Sequence, residues 1–185
     1  MQAPALIALI GPTSAPWEEV APEVEPDLAR LARRGVELRY VLTGAGPRSI
    51  TSDEEERAAA PHVVDAVVRC ELAGFDAAIV DCTADPGLDE ARRMVRMPVL
   101  GAGESLRRAI DASPLPVTVL SGDLLRSSNT DALIEYVAGA RVVALGGTGW
   151  SHLVPVLAGD ERAVLDPLDV ALAECLALLD RDQEG

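Results

Sequence analysis

Ala77-Ala78-Ile79-Val80-Asp81-Cys82-Thr83-Ala84-Asp85-Pro86-Gly87-Leu88 runs from four apolar residues directly into a polar, turn-forming loop. Apolar residues at successive rather than alternate positions mark a strand, expected at Ala77 to Asp81, that is covered on both faces, as in a parallel sheet flanked by helices. The Asp85-Pro86-Gly87 turn closes the loop, and a helix is expected over 88–95. A cysteine in the loop after such a strand is placed where α/β sheets bind their ligands, at the carboxyl ends of the strands.

The same alternation extends in both directions. Further strands are expected at Ala5 to Ile10, Val36 to Leu42, Pro98 to Leu100, Val117 to Leu120, Arg141 to Leu145 and Ala163 to Leu165. Longer amphipathic stretches between them predict helices over 22–34, 105–111, 130–138, 151–157 and 168–179, with 181–185 as a frayed tail. The most clearly marked helix follows Ser52, where Ser52, Asp53, Glu54 and Glu55 supply a capping box and negative charge for a helix N-terminus. It should reach Ala73 and stop at Gly74. Pro61 is expected to split it near Ala60, because an interior proline costs about 3 kcal/mol. Strands alternating with helices give an α/β fold.

Composition narrows the partners. The chain has 185 residues and a formal net charge of −14, from 30 acidic against 16 basic residues, so a phosphate backbone or an anionic membrane would be repelled. No nucleic-acid or membrane partner is expected. No apolar run approaches the roughly 20 residues of a membrane helix, and Met1 to Ile10 lacks the basic region of a signal peptide, which reads as a cytoplasmic protein. Aromatic residues are only 3% of the chain, so the core must be built from Val, Leu, Ile and Ala.

Cys70, Cys82 and Cys175 cannot all pair with one another, and none has a cysteine or histidine at metal-ligand spacing. A functional cysteine would therefore act as a free thiol, with no metal. Cys70 and Cys175 fall on apolar helix stripes and read as core residues, which leaves Cys82. Asp81 and Asp85 flank it and would raise its pKa, although strand alternation turns Asp81 to the opposite face. His152 follows Ser151 at a helix start and could reach the same strand-end pocket as an acid or base, whereas His62 reads as structural.

Three loops share a pattern: Gly11-Pro12-Thr13-Ser14, Cys82-Thr83-Ala84 and Gly146-Gly147-Thr148-Gly149 each follow a strand with small, hydroxyl-bearing residues. Their backbone N–H groups suit a carboxylate or a developing oxyanion. Gly44 with Gly46, Gly101 with Gly103, and the 146–149 glycines are incomplete as dinucleotide fingerprints and read as turn glycines.

Several spaced stretches carry a resemblance. Gly46-Pro47-Arg48-Ser49-Ile50-Thr51-Ser52 continuing to Ala59-Ala60-Pro61-His62, Gly74 through Cys82 to Asp85-Pro86-Gly87-Leu88, and Pro98-Val99-Leu100-Gly101-Ala102-Gly103-Glu104 occur in the order found in hydantoin racemases. Over its first two-thirds the chain resembles the aspartate/glutamate/hydantoin racemase superfamily. The resemblance implies two pseudo-symmetric lobes with parallel sheets and a substrate cleft between them: a first lobe over 1–104 carrying Cys82, and a shortened second lobe over 105–185 carrying the Gly146–Gly149 loop. The C-terminal helix is a candidate to pack back on the first lobe.

That resemblance also implies a cofactor-independent reaction in which paired thiols, one per lobe, move the proton α to a carbonyl. Cys82 is similar to the first-lobe cysteine. Gly147 stands at the second, which removes one acid/base group. Three readings remain open. Racemisation could persist with Thr148, His152 or water serving the other face; Cys82 alone could support an isomerase, decarboxylase or lyase; or the chain could bind a small anion without turnover. Thr13, Ser14, Thr83, Gly147 and Gly149 are the expected substrate-binding residues, with Arg48 as a candidate carboxylate partner. By fold-level analogy, the shortened second lobe predicts a homo-oligomer.

Overall fold

The computed structural model describes residues 4–32, 36–159 and 162–183. Along them run β1 (Leu6–Gly11), α1 (Trp17–Leu31), β2 (Glu37–Leu42), α2 (Asp53–Leu72), β3 (Ala77–Val80), α3 (Leu88–Met94), β4 (Val99–Gly101) and α4 (Ala102–Asp111). There follow β5 (Val117–Ser121), α5 (Gly122–Ser127), α6 (Thr130–Tyr136), β6 (Val142–Gly146), α7 (Val154–Ala158), β7 (Ala163–Leu165) and α8 (Pro167–Gln183). The strands form two parallel sheets, ordered β2-β1-β3-β4 and β5-β6-β7, each flanked by helices. This is the two-lobed α/β architecture expected.

Period-two alternation builds a core on each face of the first sheet. Ile7, Leu9, Ile79 and Leu100 pack against Leu31 of α1 and against Leu168 and Leu172 of α8. Ala8, Ile10, Ala78, Val80 and Val99 meet Val63 and Val67 of α2 and Leu88 of α3 on the other face. Full burial of each large aliphatic side chain stabilises by about 1.5–3 kcal/mol. In the second sheet Leu120, Val143 and Leu145 pack on Leu125, Leu133 and Leu157. The chain leaves that sheet through β7 and returns as α8 to cover the first sheet. Glu174 of α8 accepts from Ser105 at 2.6 Å and from Arg108 at 2.9 Å, binding α8 to α4.

Several elements depart from expectation. Helix α1 begins at Trp17 rather than Pro22, and its expected end at Arg34 lies outside the described residues. It contains both Pro22 and Pro26. Helix α2 passes through Pro61 without the expected break. All three prolines are exposed, so the carbonyls that lose a helical donor lie on solvent-facing turns. In α2 a buried stripe of Ala59, Val63, Ala66, Val67 and Cys70 holds the helix to the sheet on both sides of the proline. Its start is capped as expected: Ser52 Oγ accepts the Glu55 N–H at 3.3 Å, and the Glu55 carboxylate accepts the Thr51 N–H at 2.7 Å.

Helix α4 begins at Ala102 rather than Ser105, and α5 was not expected at all. The 151–157 stretch divides into a 3-10 turn at Ser151–Leu153 and α7. Helix α8 continues to Gln183 through much of the expected tail, whose last two residues, 184–185, lie outside the described residues.

Gly101 and Gly103 are not turn glycines. Neither has a positive φ, unlike Gly44, Gly46 and Gly149. A Cβ on Gly103 would stand 2.0 Å from the Thr83 carbonyl oxygen, and one on Gly101 would stand 2.3 Å from Asp85 Oδ1. Both let the loop after β3 press against the start of α4. Gly103→Ala must separate two backbones, so it should destabilise the fold by about 3 kcal/mol or more. Urea unfolding of the variant against wild type measures this; an unchanged midpoint would contradict the close packing.

Candidate active site

The carboxyl ends of the two sheets face each other. Strand β1 lies between β2 and β3, so the order in which successive strands join the sheet reverses there, and crevices at such a point bind ligands in open α/β sheets. A recess of about 320 Å³ reaches from Thr13 and Tyr40 to Asp81, Cys82 and Thr148. A second, of about 400 Å³, joins Cys82 and Thr83 to Ser121, Gly147 and Trp150. Cys82, Ile50 and Thr148 border both, so the thiol sits where first-lobe and second-lobe loops meet. Two long hydrogen bonds span the lobes: Thr83 Oγ1 donates to the Gly146 carbonyl at 3.4 Å, and Thr148 Oγ1 to the Asp81 carbonyl at 3.5 Å.

The thiol is held by a rigid support. Asp85, in the left-handed conformation at φ 54°, turns its carboxylate onto the first turn of α4. There it accepts the Gly103 N–H at 2.9 Å, the Glu104 N–H at 2.6 Å and an Arg107 N–H at 2.9 Å. Asp85 thus satisfies helix N-terminal donors from a different element. Its own N–H returns to the Cys82 carbonyl at 3.1 Å.

Burial pushes the Cys82 thiol up to about 11; the Ala84 N–H opposes this by favouring the thiolate, and Asp81, Asp85 and Glu56 add to the rise. The resting side chain is therefore a neutral thiol, poised to give a proton before it can take one. Burial also raises the Asp81 carboxyl to about 6, against the hydrogen bonds of Thr148 and Tyr40. Burial, followed by the neighbouring Asp81, pushes the Tyr40 phenol above its ordinary range.

Among the expected residues, Thr13, Cys82, Thr148 and Gly149 line the first recess, and Cys82, Thr83, Gly147 and Thr148 the second. Ser14 is not brought in as a donor, since its N–H is engaged by the Pro47 carbonyl at 2.9 Å. Arg48 borders the first recess but pairs with Glu19 at the exposed rim. His152 is exposed in an outer groove beside Trp150, away from both recesses at Cys82. His62 packs close to Gly46. Cys70 and Cys175 are buried in the first-lobe cores.

Three further site residues escaped the sequence reading. Tyr40 crosses from β2 over β1 to hydrogen-bond Asp81, and only Gly11 leaves it room, because a Cβ there would stand 2.5 Å from the phenol oxygen. Trp150 lies over Gly147, with ring atoms 3.3 and 3.4 Å from where a Cβ would be. Glu23 of α1 borders the first recess. A lone Tyr on a strand, a Trp in a loop and a Glu in a proline-bearing helix carry no local signal of these roles. Among the described residues no group of three or more His, Cys, Asp or Glu side chains is placed to hold a metal ion, and no helix is long and apolar enough to cross a membrane.

Comparison with known proteins gives a consistent picture. The Asp/Glu/Hydantoin racemase family model matches residues 7–129. A hydantoin racemase from Pseudomonas sp. (strain NS671) is 36% identical over 74 residues, which is 40% of this chain and 30% of that protein's length. An allantoin racemase from Klebsiella pneumoniae superposes with a TM-score of 0.80 at 18% identity, covering 96% of this chain and 89% of that one. A mutant of arylmalonate decarboxylase superposes with a TM-score of 0.64 at 13% identity, covering 94% and 92%. At those identities the two structures establish a shared fold.

The raised thiol has a direct consequence. Iodoacetamide should label Cys82 at neutral pH at least about tenfold more slowly than a thiol titrating at its ordinary value, since a lower thiolate fraction outweighs the greater nucleophilicity of a more basic thiolate, and the rate should still be climbing above pH 10. Mass-spectrometric rate constants across pH test this; a plateau below pH 9 would show that the thiolate is stabilised.

Proposed function

The chain belongs to the Asp/Glu/hydantoin racemase family, and on that premise we propose that it is a cofactor-independent isomerase that moves the proton α to a carbonyl, with Cys82 as its acid/base. The observation that carries this reading is the position of Cys82: a single thiol at the end of β3, on the seam between the lobes, with the Ala84 N–H directed to its sulfur. In the forward step Cys82 first gives its own proton to solvent, the Ala84 N–H favouring the thiolate; the Cα–H bond then breaks, its electron pair delocalises onto the carbonyl oxygen as an enolate, and the proton passes to the Cys82 thiolate. Reprotonation at the opposite face of the carbon by water held at Thr148 inverts the centre and leaves hydroxide, which takes the proton from Cys82 to regenerate the thiolate; return of the proton from Cys82 instead restores the original configuration. Backbone N–H groups of the Thr13, Thr83 and Thr148 loops are the proposed oxyanion donors, each worth about 2.7–4 kcal/mol of barrier where such donors have been removed.

A second reading has its own support. The resting thiol is protonated, and Trp150 rather than an acid/base group covers the opposite face at Gly147. Both features suit a one-sided reaction in which an enolate forms by loss of carboxylate or by bond migration and Cys82 delivers the proton. Such a decarboxylase, lyase or isomerase would use the same thiol.

Proton NMR in D₂O with 5-substituted hydantoins, aspartate, glutamate and arylmalonates separates these readings. Loss of a Cα–H signal with racemisation supports the first; stereospecific deuteration of a decarboxylation product supports the second. Cys82→Ala should lower either rate by at least about a hundredfold while leaving the circular dichroism spectrum unchanged. Full activity in that variant would refute the thiol mechanism.

Gly147→Cys tests the missing partner. The added Cβ needs a shift of Trp150 by only a few tenths of an ångström, and Gly147 has no positive φ that a side chain would strain, so the variant should fold. It should speed racemisation relative to wild type by placing a second acid/base opposite Cys82; unchanged stereochemistry with an unchanged rate would show that position 147 does not face the substrate.

A further inference from the structure

The charges around the first recess are unequal. Glu19, Glu23, Asp27 and Asp81 surround or line it, and each cation nearby is already engaged: Arg48 by Glu19, and Arg30 by Asp27, Asp166 and Asp169. Asp27 is further occupied by the Ser151 hydroxyl at 3.2 Å. Glu23 and Asp81 differ, since among the described residues no cation pairs with either. The Thr148 and Tyr40 hydroxyls lie beside the Asp81 carboxyl, yet its Oδ1 is buried without any hydrogen-bond partner. A buried carboxylate oxygen left unpaired is costly, and buried polar groups without partners are uncommon unless a ligand or water completes them.

This goes one step beyond the proton-transfer reading and rests on it for the identity of the ligand as a substrate. We propose that the recess beneath α1 is a cation subsite, in which Asp81 and Glu23 hold an ammonium or amidinium group carried by the substrate while its reacting carbon lies at Cys82. Asp81 is the residue immediately before Cys82, on the opposite face of the strand end: Cys82 packs toward α2, whereas Asp81 meets Tyr40 and Thr148. A substrate that spans the end of β3 can touch both. Glu23 reaches in from α1, its Oε2 3.3 Å from the position of a Cβ on Gly149, and so closes the recess from the second-lobe side. Tyr40, stacked over Gly11 and tilted against Trp17 at 6.1 Å, holds the Asp81 carboxylate in place. A free dicarboxylate would meet these acids without an uncommitted cation to offset them, whereas a charge-assisted hydrogen bond from N–H⁺ to Asp81 fits the unfilled oxygen.

The test uses three hydantoins of similar length carrying aminobutyl, pentyl or carboxybutyl substituents at the reacting carbon, titrated calorimetrically into wild type, Asp81→Asn and Glu23→Gln. The aminobutyl compound should bind wild type roughly tenfold tighter than the pentyl compound, with the carboxybutyl compound weakest. That preference ratio should fall toward one in Asp81→Asn and by a smaller factor in Glu23→Gln, which keeps the test available if the buried substitution impairs folding. Equal binding of the aminobutyl and pentyl compounds, preference for the carboxybutyl compound, or no binding of any of the three would overturn the subsite. Deuterium exchange at Cα, followed on the same samples, reads the proton-transfer reaction separately. A cation preference without exchange removes that reaction and leaves the subsite; exchange without charge preference does the reverse.

Discussion

The Asp85 carboxylate closes the first turn of α4, and the position of the thiol follows from that contact. Two backbone N–H groups and Arg107 converge on it, so the loop after β3 cannot move without opening a helix end. Gly101 and Gly103 are the counterpart of this cap, because side chains at either position would push the loop away. Cys82 is consequently held between two stationary elements, the buried strand β3 and the N-terminus of α4. The loop backbone is fixed before any ligand arrives, which is the condition for placing a proton donor accurately.

The same helix joins the lobes. Helix α4 leaves the first sheet and lies beside α8, which returns from the second, with Glu174 bonded to Ser105 and Arg108. The cleft is thus bordered by two sheets whose separation is set by a shared helical layer. Beside the thiol the lobes are joined by the long bonds from Thr83 and Thr148, and farther out by the Ser151 hydroxyl to Asp27. Bonds at 3.4 and 3.5 Å are weak, and a substrate can replace them at low cost.

Electrostatics gives the cleft its chemical character. A chain with a net charge of −14 places carboxylates even beside the Cys82 thiol, which is neutral at rest as a result of burial first and of Asp81, Asp85 and Glu56 second. A neutral thiol protonates well and deprotonates only when the substrate or the Ala84 N–H favours its anion. The acidity of the neighbouring carbon then has to supply much of the driving force, which is consistent with carbonyl-activated substrates.

Much of this was legible in the chain itself. The unbroken apolar run before Asp81, the cap at Ser52 and the Asp85-Pro86-Gly87 turn specify strands, a helix start and a loop through local chemistry: burial on both faces, side-chain capping and restricted backbone angles. Cys82 stood out because neither other cysteine follows a strand. The continuity of α2 through Pro61 was not legible, since a proline's penalty is local while the buried stripe that outweighs it comes from packing on the sheet. Nor was the role of Gly103, whose neighbour Thr83 lies in another loop, or the reach of Tyr40 across Gly11 to Asp81. The sequence by itself determined the order of the strands and of most of the helices, and which thiol occupies a strand end, because these depend on neighbours along the chain. Only the tertiary structure decided that Arg48 is committed to Glu19, that His152 lies away from the thiol, and that Asp81 keeps an unpaired oxygen, because each depends on groups that meet only in space.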